Sequence, residues 1–312
     1  MENNGYNIVL QDCMGIKPHE RVLVLTDDDK MEIGLNLYRE AKKMSKEAVF
    51  LMMNPRSVSG EEPPEEVAAT MKKFDVIICP TSKSLTHTNA KMEAVKAGAR
   101  LASMPGIIEE MFYEGAITAN YKEVEELTLS LTELLTKASK ARIEKDGYSL
   151  HMNLGERKAV PSTGIYRNPG EAGNLPSGES YIAPIENSSN GKVLVDGSMV
   201  GIGLLETPIL FTIVDGKIVN IEGNDSGKLD VLLENPFNST LGELGIGTNK
   251  AARLTGVILE DEKIYGTVHV AFGTNTSFGG SNKANCHMDG VILKPTLYLD
   301  DKLVMKEGKV LF

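Results

Sequence analysis

The sequence predicts two architectures in succession: an α/β domain with a mainly parallel sheet over residues 1–143, then a β-rich, barrel-like metal-binding domain over residues 144–312. Three observations predict this. Short apolar runs alternate with amphipathic helical segments through the first half. Near residue 145 the pattern changes to short strands punctuated by Gly, Asn, Asp and Pro. The last fifth of the chain then gathers histidines and carboxylates at strand spacing.

Residues 21–26 (Arg-Val-Leu-Val-Leu-Thr) form the first predicted strand, ending in Asp27-Asp28-Asp29, a solvated loop and helix start. Residues 32–45 place Ile33, Leu37, Ala41 and Met44 at helical spacing, and 48–53 read as a strand. The unit repeats with a helix over 65–73, a strand over 75–79, a helix over 88–97 and a strand over 100–103. Buried runs between helices indicate βαβ units and a parallel sheet. A long amphipathic helix over 121–139 closes this half. No G-x-G-x-x-G follows the first strand, so a dinucleotide site lacks its motif. The segment Thr86-His87-Thr88 reads as a turn or helix cap. In the second half, strands are predicted over 192–197, 210–219 and 255–259, and a short helix over 228–233. Val214-Asp215-Gly216-Lys217 is a hairpin signal.

Composition narrows the function. A net charge of −10 opposes nucleic-acid binding, and the absence of Trp removes the best stacking platform for bases or sugars. Three scattered cysteines, Cys13, Cys79 and Cys286, predict a reduced, cytoplasmic protein without structural disulfides. The polar first residues resemble no targeting segment, and no apolar run reaches membrane-spanning length.

In a strand, side chains two apart share a face. His287 and Asp289 therefore converge, with Cys286 and Met288 facing away. By the same alternation Thr267, His269 and Ala271 share one face, with Val268, Val270 and Phe272 on the other. Two imidazoles and a carboxylate supply the neutral nitrogen and anionic oxygen donors that a divalent metal needs. Glu179 and Glu243 lie among small residues that give the backbone freedom to approach a ligand. Two histidines and three carboxylates suffice for a two-metal centre, with ions about 3.5–4 Å apart. A structural zinc site is disfavoured, because such sites usually contain cysteine. Asp261 and Glu262 read as a solvated hairpin turn, Gly279-Gly280-Ser281-Asn282 as an anion cradle or flexible loop, and Cys286 as a small buried hydrophobe.

Four ordered motifs go further. They are Asn-Leu-Pro-x-Gly-Glu…Ala-Pro from Asn174, Gly-Glu-Leu-Gly-Ile-Gly-Thr-Asn from Gly242, Asp-Glu-Lys-Ile-x-Gly-Thr-x-His-x-Ala-x-Gly from Asp261, and His-x-Asp from His287. Together they resemble the thermophilic-type metallo-aminopeptidases, the aminopeptidase T and aminopeptidase S family. That resemblance implies an α/β domain followed by a β-rich catalytic domain, a homodimer, and two divalent ions (Zn, Co or Mn). By motif, Glu179, Glu243, His269, His287 and Asp289 match the family's metal ligands, with Glu243 as the bridge. The implied activity is an aminopeptidase-like hydrolase that releases amino-terminal residues from peptides, with Glu179 or Glu243 moving the proton. The family's catalytic tyrosine has no counterpart in 273–280, which leaves Asn275 or a loop N–H as the oxyanion donor. The shorter relatives include the 2,5-dihydroxypyridine dioxygenases, which resemble this chain in the His…His-x-Asp set. The alternative they imply is one Fe(II), a hydroxylated aromatic substrate, and Glu179 as base.

Overall fold

The computed structural model describes residues 4–311, and its contacts divide the chain into two units. One comprises residues up to Glu125 together with Gly164–Ser177; the other comprises Glu126–Thr163 and everything from Gly178.

The first unit is built on a five-stranded, wholly parallel sheet. Its spatial order is Glu47–Met53, Arg21–Asp27, Val76–Thr81, Arg100–Pro105 and Ala172–Asn174. Helices Met31–Met44, Glu65–Met71 and Asn89–Lys96 connect successive strands, as the alternation predicts. The central strand Val76–Thr81 is buried throughout, because a parallel sheet is covered on both faces. Thr88 caps its helix by accepting from the Lys91 N–H, which confirms the capping role of that segment. The acidic triplet divides: Asp28 and Asp29 open a helical turn at the surface, while Asp27 is buried and accepts from Ser82 N and Oγ. Residues 5–13 are helical and bury Val9 and Leu10, which the polar opening of the chain does not predict.

The second unit contains no closed barrel among the described residues, and the barrel-like expectation is corrected accordingly. It consists of two open antiparallel sheets, one of eight strands and one of seven. The eight-stranded sheet ends on Lys217–Glu222 at one edge and Lys309–Val310 at the other. The seven-stranded sheet ends on Gly203–Leu204 and Val160–Ser162. One core joins them. Ile143, Val193, Val195 and Phe211 from the first sheet pack with Ile182, Leu244, Val268, Val270 and Phe272 from the second. The Phe211 and Phe272 rings lie 4.9 Å apart. Leu131 and Leu135 of the helix Tyr121–Lys137 join the same cluster.

The predicted hairpin is present, with Ile209–Val214 paired to Lys217–Glu222. Asp215 (φ 47°) and Gly216 (φ 74°) both occupy the left-handed region that a two-residue hairpin of this twist requires. The short helix near 228–233 is present as Ser226–Leu232. The predicted strand over 255–259 is not found. Asp261 accepts from Thr255 N, Thr255 Oγ1 and Gly256 N, which closes that segment into a loop and a helical turn at Ile258–Asp261.

Phe211 is fully buried between the sheets. Phe211→Ala should destabilise the fold by about 3–5 kcal/mol through lost burial and a cavity, read from the urea midpoint. A change under about 1 kcal/mol would show that the two sheets do not share this core.

Candidate metal centre

Register places the site. Four neighbouring strands, Glu179–Ile182, Leu241–Gly247, Val268–Gly273 and His287–Ile292, lie side by side and antiparallel. Gly247 pairs with Glu179, Gly245 with both Tyr181 and His269, Glu243 with Ala271, Ala271 with Asp289, and Gly273 with His287. Paired residues project from the same face. Glu179, Glu243, His269, His287 and Asp289 therefore rise from one side, and the opposite side faces the core through Leu244, Val268, Val270 and Phe272.

Between the donors the floor is Gly245, Gly247, Ala271 and Gly273. This is what gives the imidazoles room. A Cβ at Gly245 would overlap His269 Nε2, and one at Gly247 would overlap the Ile264 carbonyl.

The side chains converge closely. His269 Nε2 is 3.3 Å from Glu179 Oε2 and 3.4 Å from Glu243 Oε1. His287 Nε2 is 3.3 Å from Glu243 Oε2 and 3.4 Å from Asp289 Oδ1. Glu243 thus stands between the two imidazoles, one oxygen towards each. His269 is fully buried, yet neither ring nitrogen forms a hydrogen bond, and Glu179 Oε2 forms none. Buried donors without partners are costly unless something else binds them. His287 Nδ1 lies 2.8 Å from the Thr274 carbonyl, an arrangement that puts the proton on Nδ1 and leaves the Nε2 lone pair for a ligand. The His287 side chain is 25% exposed while the others are nearly or fully buried, so the site opens on its side.

Burial lowers the basicity of both imidazoles, but the neighbouring carboxylates outweigh it. His269 is raised to about 9 by Glu243 and Glu179, and His287 is raised well above its ordinary value by Asp289 and Glu243. Burial opposes ionisation of Glu243, and the two imidazoles overcome this to hold its carboxyl down at about 2. Without a metal, protons therefore stand in for it.

Two residues of the site are missed by sequence reasoning. Glu262 and Lys263 are buried, not solvated, and the hairpin-turn reading of Asp261 and Glu262 is corrected. Lys263 Nζ donates to Glu179 Oε1 at 2.6 Å and also to Glu262 Oε1. The charges of Glu179 and Glu262 raise Lys263 against the effect of burial, while burial pushes the Glu262 carboxyl up to about 8. Charged residues in succession read as surface, but here opposite charges satisfy one another inside. The available signal was their place in the motif that runs on to His269.

Two sets of donors could hold a metal ion: Glu243, His287 and Asp289, and Glu179, Glu262 and His269. Within each set, one donor atom from each residue lies within 4.8 Å of the others. Nearby, Phe278 packs edge-on to Tyr181 at 5.3 Å and to His287 at 6.0 Å. The glycine loop is held by hydrogen bonds within the protein. Ser281 N donates to Glu186 Oε1 and Asn282 N to Asn275 Oδ1. Asn275 Nδ2 also donates to Glu186, so that amide is committed to holding the loop and is not an oxyanion donor. Cys286 is half-buried at the core's margin, not fully buried.

This buried, carboxylate-rich set with paired imidazoles defines a site suited to a divalent metal. Residues 4–312 match the family described as NicX: 2,5-dihydroxypyridine 5,6-dioxygenase, and the chain belongs to that family. It is 25% identical over 246 residues, 72% of this chain and 68% of the relative, to the 2,5-dihydroxypyridine 5,6-dioxygenase of Pseudomonas putida KT2440. The solved structure of the dioxygenase from that organism superposes with a TM-score of 0.81 at 20% identity, covering 98% of this chain and 96% of that one. Wild-type AmpT from Thermus thermophilus superposes with a TM-score of 0.72 at 15% identity over the full length of both. At these identities the structures show a shared fold. The expected aminopeptidase-like hydrolase, with its metalloprotease and proteolytic role, is overturned by the family match. The chain is an enzyme of a dioxygenase family, and its likeness to the aminopeptidase is one of architecture. No helix among the described residues is long and apolar enough to cross a membrane.

Two predictions follow from this geometry. Gly245→Ala should weaken metal binding about 10–100-fold by displacing His269, measured by competition with a chelating dye; unchanged affinity would show that His269 is not a ligand. Ligation needs neutral imidazoles, and His269 titrates at about 9 in the metal-free site. Metal binding at pH 7 should therefore release protons, and affinity should rise about tenfold per pH unit for each proton displaced. Calorimetry in buffers of different ionisation enthalpy tests this, and a heat independent of buffer would contradict it.

Proposed function

We propose that this protein is a mononuclear Fe(II) dioxygenase that cleaves the ring of a hydroxylated N-heteroaromatic of the 2,5-dihydroxypyridine type. The observation that carries the reading is the meeting of His269, His287 and Asp289 around Glu243 on the glycine-floored face, within a chain of this family. Two histidines and one carboxylate that leave coordination positions open are the donor set of non-haem Fe(II) oxygenases. His269 Nε2, which faces two carboxylates without a hydrogen bond to either, fits a metal ion better than a hydrogen-bonded core.

When bound, iron would supply the redox chemistry that allows O₂ to react with an aromatic ring, adding both oxygen atoms across the bond that breaks. The chain's own groups do the rest. His269, His287 and Asp289 hold the ion, and the Thr274 carbonyl fixes the His287 ring. Tyr181 and Phe278 form an aromatic wall beside His287, suited to a flat ring. Glu179, whose Oε2 lacks a hydrogen bond, accepts the proton of a ring hydroxyl, while Lys263 holds its other oxygen in place.

Protein loaded with Fe(II) under anaerobic conditions should consume one O₂ for each 2,5-dihydroxypyridine lost. Glu179→Gln should lower kcat about 10²–10⁴-fold with iron content unchanged, and His287→Ala should lose both iron and turnover. Iron-loaded protein that leaves oxygen untouched with dihydroxypyridines and related ring diols would refute this function.

A further inference from the structure

Two donor sets share one sheet face, but they are not equally free. In the set of Glu243, His287 and Asp289, every side chain approaches another at ion-pair distance through an imidazole, and among the described residues no lysine or arginine pairs with them. In the set of Glu179, Glu262 and His269, two of the three members are already bound to a cation. Lys263 Nζ donates to Glu179 Oε1 at 2.6 Å and to Glu262 Oε1. Lys263 is fully buried. The turn Ile258–Asp261 carries it there, and Gly247 lets the following residue lie against the sheet.

We propose that Lys263 is the resident cation of the second donor set and restricts the centre to a single divalent ion. The Lys263 ammonium lies between Glu179 and Glu262, the position a second ion would need, and a divalent ion placed there would stand against a buried positive charge. His269 Nε2 stands 3.3 Å from Glu179 Oε2 and 3.4 Å from Glu243 Oε1, so it can serve the one ion from the Glu243 side. Lys263 meets both Glu179 and Glu262, so its charge is already matched within that set. A pair of ions clamping a water suits hydrolysis, whereas one ion with open positions suits oxygen chemistry. Lys263 is thus a positioning residue that sets the number of ions on this face. This inference rests on the metal-binding half of the proposed function and not on its oxygen chemistry.

The test is the number of Mn²⁺ ions bound by the full chain after chelator treatment, titrated with Mn²⁺ alone and read by electron paramagnetic resonance. Wild type should bind one ion with an isolated-ion spectrum. Lys263→Asn should bind two, with the spectrum of an exchange-coupled pair, and Lys263→Arg should return the count to one. Two ions in wild type, none in wild type, or one in folded Lys263→Asn each overturns the proposal. If Lys263→Asn does not fold without metal, it is refolded with Mn²⁺ present. Recovery with two ions upholds the proposal, and no recovery overturns it, because the ion must replace the ammonium. Absence of oxygen consumption by the iron-loaded wild type would leave these counts unchanged, so the two readings fail separately.

Discussion

Holding four carboxylates, two imidazoles and a lysine together, most of them out of water, over one sheet face is the constraint around which the second unit is arranged. Isolated, each of these charges would be too costly to bury, and each is tolerable only because its neighbours have the opposite sign. Glu243 sits between His269 and His287, Asp289 faces His287, and Lys263 joins Glu179 to Glu262. Removing any one member leaves another buried and unpaired, so the cluster is interdependent in a way that a list of pairs does not convey. A structure with this much charge at its centre needs rigid support, and two packed antiparallel sheets supply it.

The support is asymmetric by design of the strands. On the core side, branched and aromatic residues such as Val268, Val270 and Phe272 lock the strands against the facing sheet. On the site side the same strands carry glycine and alanine between the donors, and the His269 ring lies over Gly245 where any side chain would collide with it. The strand period of two is what allows a single segment, Val-His-Val-Ala-Phe-Gly, to serve both purposes. Outside the sheet, Asp261 closes a loop that brings Glu262 and Lys263 over the donors, and Asn275 with Glu186 pins the glycine loop beside Phe278.

The same architecture superposes on a dioxygenase and on an aminopeptidase. Chemistry on such a scaffold is decided by a few side chains rather than by the fold.

Local periodicity and turn chemistry foretell the alternation of strands and helices in the first unit, the hairpin at Asp215-Gly216, and the shared face of His287 and Asp289, none of which needs distant contacts. That His269 stands on the same face is decided by the pairing register of Val268–Gly273 with His287–Ile292. Glu179 and Glu243 were legible only through motif resemblance, because a glutamate beside glycine has no local signature of a ligand. Tertiary structure alone decided that the strands form two open sheets and not a barrel, since closure depends on which edges meet. It also decided that Glu262 and Lys263 are interior. Burial of a charge depends on a partner far along the chain, here Glu179, 84 residues away from Lys263, and no window of sequence contains both.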